Sequence, residues 1–125
     1  MNELLDTNVI LRFLVGDNAS QQTQARHWFQ EAESGKRTLI IQPLVIAESC
    51  FLLESVYKKN REEIATSFEV MLSQRWIDVV DRVAMLGLWR WYRDGFHFVD
   101  SYLLALAKTN TATILTFDKK LQKSL

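Results

Sequence analysis

Short, mostly apolar segments alternate with longer helical ones from one end of the chain to the other, and this alternation constrains the fold more than any other feature. Glu3–Leu5, Thr38–Ile41, Trp76–Val80 and Thr113–Phe117 are the short segments. Brief apolar runs of this kind suit strands buried on both faces. Between them, Asn8–Val15 reads as a short apolar helix, and Asn18–Ser34 as an amphipathic helix closed by Gly35. Pro43 sits where prolines open helices, and its helix is expected to run to about Lys58. Arg61–Gln74, Val83–Asp94 (ending at Gly95) and Val99–Thr109 read as three further helices. Parallel strands need long crossover connections, and helices supply them. The expected class is therefore α/β: a mostly parallel central sheet, right-handed crossovers and helices on both faces. The 125 residues suit one domain, residues 1–125.

Composition narrows the function. Fifteen Lys and Arg balance 15 Asp and Glu, so the totals show no general attraction for nucleic acid. Any contact with phosphates must come from a local cluster. Cys50 is the only cysteine, which leaves neither a disulfide framework nor a zinc cluster. No leader pattern opens the chain and no apolar run is long enough to cross a bilayer, so a soluble cytoplasmic protein without membrane contact is expected. In Val83–Asp94, Met85, Trp89 and Tyr92 form one stripe and Ala84, Leu88 and Trp91 another. A helix apolar nearly all round is either core or interface. The second alternative motivates the expectation of a two-fold homodimer.

Four acids stand where apolar surroundings or a strand end make a carboxylate conspicuous. Asp6 follows the first short segment and Asp118 the last, each expected just past the carboxyl end of a strand. In open parallel sheets that edge binds ligands. Glu48 interrupts the apolar stretch Val45–Leu53, and Asp100 opens Phe98–Ala107. Taken singly, each has a plain structural role: Asp100 as a helix cap, Asp118 as a turn former, Glu48 as a solvated helix position. Taken together, they form a carboxylate set with no cysteine and little histidine. Such a set selects hard divalent cations, Mg²⁺ or Mn²⁺, and suits phosphodiester chemistry.

These same residues resemble the PIN-domain family. Asp6-Thr7-Asn8-Val9-Ile10-Leu11 is similar to its opening motif. Glu48 in its helix, Phe98-Val99-Asp100-Ser101-Tyr102 and Leu115-Thr116-Phe117-Asp118 resemble the second, third and fourth motifs. In size the chain looks like the VapC-type toxins of type II toxin–antitoxin systems. The resemblance implies a three-layer α/β/α PIN-like fold and a Mg²⁺- or Mn²⁺-dependent endoribonuclease. Asp6, Glu48, Asp100 and Asp118 would be its catalytic and metal-holding tetrad. Asn8 would be a supporting polar group near Asp6, and Thr116 the hydroxyl supporting Asp118. The implied partners are an RNA substrate and a cognate antitoxin chain. Many relatives continue beyond the position of Leu125 into a further edge strand.

Among basic residues, Lys119, Lys120 and Lys123 adjoin Asp118, and Lys119 and Lys120 are the candidate RNA contacts. The cluster Lys58-Lys59-Arg61 reads equally well as a solvated face. His97 reads as a loop residue, His27 as surface and Cys50 as a small buried hydrophobe. Three alternatives stay open: a housekeeping PIN nuclease, a haloacid-dehalogenase-like phosphotransferase and a non-catalytic PIN scaffold. The phosphotransferase also places an aspartate after its first strand, but Asn8 stands where an acid or threonine would be expected. The scaffold fits poorly with a chain that retains all four acids.

Overall fold

The computed structural model describes residues 2–125. Three strands, β1 (Asn2–Leu4), β2 (Thr38–Ile41) and β3 (Ile77–Val79), form a parallel sheet in the order β1-β2-β3. Leu4 stands opposite Ile40, and Leu39 opposite Ile77. Helices α1 (Thr7–Val15), α2 (Ala19–Glu33), α3 (Pro43–Ser55), α4 (Arg61–Leu72), α5 (Arg82–Gly87), α6 (Trp89–Arg93), α7 (Phe98–Asn110) and α8 (Lys119–Lys123) flank it.

Local chemistry sets most of these boundaries. Asn18 caps α2 by accepting from the Gln21 N–H at 3.1 Å, and Asn60 caps α4 by accepting from Glu63 at 2.8 Å. Glu62 and Glu63 place negative charge in the first turn of α4, where the helix dipole favours it. Pro43 opens α3, and Gly16, at φ +75, ends α1 in the left-handed region that favours glycine. The core runs between the sheet and the helices. Ile41, Ile46, Phe68, Leu72, Met85 and Trp89 are buried, with Phe68 and Trp89 stacked at 5.4 Å between ring centroids. Aromatic pairs of this geometry add about 1 kcal/mol beyond the area they bury.

Two expectations are corrected. The single helix expected over Val83–Asp94 is two, α5 and α6, broken at Leu88. Gly87 weakens the helix at that point, and the Trp89 indole N–H donates to the Met85 carbonyl at 2.8 Å. Trp89 and Tyr92 are fully buried, so the core accounts for these two aromatics, while Val83 stays exposed.

The second correction concerns Thr113–Phe117, which is not a strand. Leu115 is 98% exposed and Phe117 104%, and β1 pairs only with β2. Local bonds occupy backbone groups that a ladder would use. The Thr116 hydroxyl accepts from the Asp118 N–H at 3.0 Å, and the Thr116 carbonyl accepts from the Gln122 side chain at 2.7 Å. The chain then enters α8, a helix that sequence reading did not foresee. It is anchored by Leu121 against Phe96 and Leu104.

Candidate active site

Asp6 caps the N-terminal end of α1 one residue after Leu5, so it stands at the carboxyl edge of the sheet, and it is exposed. Its side chain makes no capping bond and is free for another partner. β2 delivers the chain to α3 at the same edge, and Glu48 is exposed in the second turn of that helix. Asp100 is half-buried in the first turn of α7. A hydrogen bond brings α7 to the carboxyl edge. The Tyr102 hydroxyl donates to the carboxylate of Asp81, two residues past the end of β3. Burial, with the Asp81 carboxylate beside it, pushes the Tyr102 hydroxyl up to about 12. Helix α3 packs on both α1 and α7, so the helices bearing Asp6, Glu48 and Asp100 form one contiguous group.

Asp118 is placed differently from the expectation. It does not follow a strand but caps α8, accepting from the Leu121 N–H at 3.1 Å. Thr116 bonds to the backbone of Asp118, in keeping with a supporting hydroxyl. Asn8 is exposed and lines a cavity of about 200 Å³ with Val9, Arg12, Gln21, Ala25 and Trp28. Lys119 and Lys120 are both exposed, and the Lys120 ammonium sits 4.3 Å from the centre of the Phe96 ring. Among the described residues, no three His, Cys, Asp or Glu side chains stand close enough together to hold a metal ion. The donor chemistry of the four acids suits a hard cation, but their spacing here does not complete its site.

Of the remaining candidates, His97 caps α7, and its carbonyl accepts from both the N–H and the hydroxyl of Ser101. His27 pairs with Glu31 on the surface at 3.3 Å. Cys50 is buried, and burial pushes its thiol up, as befits a core residue rather than a nucleophile. The basic cluster Lys58-Lys59-Arg61 is not one solvated face. Arg61 turns inward and bonds to the backbone carbonyls of Tyr92 and Phe96. Sequence reading missed this role, and missed Asp81 as the anchor of α7. Both depend on which helix lies across the way, and nothing in their local sequence reports that.

A family model described as the PIN domain matches residues 4–124, nearly the whole chain. The chain belongs to the PIN-domain family. The three-strand parallel sheet with flanking helices is accordingly a PIN-like α/β/α fold. A VapC ribonuclease of Aquifex aeolicus (strain VF5) is 34% identical over 77 residues, which cover 62% of this chain and 56% of that protein. The PIN domain described here thus aligns with little more than half of that relative's length. No solved structure matches the chain. Among the described residues, no helix of this PIN domain is long and apolar enough to cross a membrane.

Proposed function

We propose that this PIN domain is an endoribonuclease that hydrolyses RNA phosphodiester bonds and serves as the toxin of a toxin–antitoxin pair. The observation that carries the reading is that α3, which bears Glu48, packs on both α1, which Asp6 opens, and α7, which bears Asp100, in a chain of this family. Likeness to a VapC ribonuclease supports the substrate class and the toxin role. Asp6, Glu48, Asp100 and Asp118 are the proposed catalytic acids, Asn8 and Thr116 their supports, and Lys119 and Lys120 the contacts to RNA.

Mg²⁺ or Mn²⁺ dependence belongs to the same reading and rests on donor chemistry alone. A shared ion requires the four carboxylates to draw closer than they stand. Such an ion would supply phosphoryl polarisation, while the acids of this chain would hold and orient it. Soluble, cytoplasmic placement follows from a substrate that is cellular RNA. Self-association, if it accompanies activity, finds support in the exposed Leu44, Phe51 and Val99 of α3 and α7 rather than in the buried Trp89.

The test is cleavage of a mixed RNA pool by the purified chain, with and without chelator, beside Asp6→Asn. Cleavage that needs divalent cation and is lost in Asp6→Asn supports the reading. Cleavage indifferent to both overturns it. Phosphatase activity without RNA cleavage favours the phosphotransferase, and inertness in every arm favours a scaffold.

A further inference from the structure

The turn between α6 and α7 holds more polar wiring than a surface turn needs. Arg61, the first residue of α4, donates from one Nη1 to two carbonyls of that turn: Tyr92 at 2.8 Å and Phe96 at 2.5 Å. Its Nε stands 3.4 Å from Glu54 on α3, and its guanidinium lies over the Tyr92 ring at 4.4 Å. The Tyr92 hydroxyl, fully buried, donates to the same Glu54 at 2.5 Å. One side chain thereby ties α4 to α3 and to both ends of the Tyr92–Phe96 segment, which begins in the last turn of α6. Arginine suits this work because its donors are fixed in a planar fork and its charge persists when it is partly buried.

Two of the proposed acids depend on the clamped turn. Past Phe96 the chain runs through His97 directly into α7, whose third residue is Asp100. The Phe96 side chain packs with Leu104 and Leu121, and Lys120 lies over its ring. Leu121 belongs to α8, whose cap is Asp118. The backbone of Phe96 therefore leads to one acid and its ring to the other. Gly95, at φ +103, makes the bend in the left-handed region, and the Gly95 and Phe96 N–H groups close it by donating to the Tyr92 and Trp91 carbonyls; Arg61 adds a hold on the same segment from α4.

We propose that Arg61 is a positioning residue: by clamping the Tyr92–Phe96 turn it sets Asp100 and Asp118 relative to each other. This rests on the reading that both acids serve RNA cleavage. Misplacement of such groups by an ångström lowers turnover with little effect on substrate contacts elsewhere. The experiment compares wild type, Arg61→Ala, Glu54→Gln and Asp100→Asn by RNA cleavage kinetics, and wild type and Arg61→Ala also by hydrogen exchange. Arg61→Ala is expected to lower kcat by about tenfold or more with KM within about twofold. Exchange is expected to rise in residues 96–102 and 118–122 and to stay near wild type in α1 and α2. Glu54→Gln leaves both carbonyl contacts in place and is expected to cleave within about threefold of wild type. Should Arg61→Ala not fold, Arg61→Met, which keeps the aliphatic stem and has no donor for either carbonyl, is measured against the same expectations. Wild-type kcat in the Arg61 variant beside an inactive Asp100→Asn overturns the clamp alone. Loss of protection spread evenly over the chain also overturns it, because Arg61 would then be a stabilising residue without a local role. Wild-type cleavage by Asp100→Asn overturns the site on which the proposal rests.

Discussion

Asp100 sits in the first turn of α7, where the helix dipole favours a carboxylate by about 0.3–1 kcal/mol. Against this stands repulsion from any neighbouring acid. The two effects oppose each other, so Asp100→Asn is expected to leave metal-free stability within about 1 kcal/mol of wild type. RNA cleavage is expected to be lost. Chemical denaturation and the cleavage assay measure the two separately, and a large fall in stability would mark Asp100 as chiefly structural. At this scale the sequence is informative about acids and silent about arginine. A carboxylate in an apolar helical run, such as Glu48 or Asp100, is unusual enough to stand out from composition alone. Arg61 stands in an ordinary basic cluster, and its two carbonyl partners lie 31 and 35 residues further along the chain.

Helix α4 is fastened to α6 by a second arginine. Arg93 makes a two-pronged pair with Glu69, at 2.6 and 2.9 Å, and adds a bond to Glu62 at 2.8 Å. The Arg93 hydrogen bonds hold the Glu69 carboxyl below its usual value of 4.5. A lowered pKa in the folded state means stabilisation that is present above the unfolded value and lost as pH falls through the folded one. Glu69→Gln is therefore expected to be less stable than wild type at neutral pH, with the gap closing as pH drops below 4.5. Denaturant midpoints measured down the pH scale check this, and a gap that stays constant would count against the pairing. Elements are legible wherever pattern and packing agree. Thr38–Ile41 is a strand with the bounds its β-branched run suggests, because it sits between two others and is covered on both sides. Thr113–Phe117 has the same composition without the neighbours. β preference expresses fit to a pleated surface, and with no strand alongside, the Thr116 and Gln122 side chains take the local bonds instead.

For the whole molecule, the question is which surface a controlling partner would cover. The ribonuclease toxin proposed above would harm its own cell unless held in check. Of the apolar residues on the first two helices, Leu11 and Phe29 are spent in the core, while Val9, Phe13, Leu14 and Trp28 stay partly accessible. They divide between two cavities. The larger, about 550 Å³, is lined by Phe13, Leu14, Trp76 and Ile77, at the end of α1 and the start of β3, away from the carboxyl edge. The smaller, about 200 Å³, is lined by Asn8, Val9, Arg12 and Trp28, and begins two residues after Asp6. A segment seated in the smaller cavity lies against Asn8, two residues from Asp6, and a basic side chain at its end would meet Asp6. An amphipathic helix with one apolar anchor against Trp28 fits that description. Co-expression with the product of the neighbouring gene is expected to relieve toxicity. Trp28→Ala is expected to weaken that relief by about tenfold or more in affinity, as loss of an aromatic anchor does, while cleavage by the free chain stays near wild type. If Trp28→Ala binds the partner as wild type does and a variant of Phe13 does not, the partner occupies the larger cavity and blocks RNA by bulk rather than by reaching the acids. If the active chain accumulates in its natural host without harm and without any co-purifying partner, the toxin role falls and a housekeeping PIN nuclease takes its place.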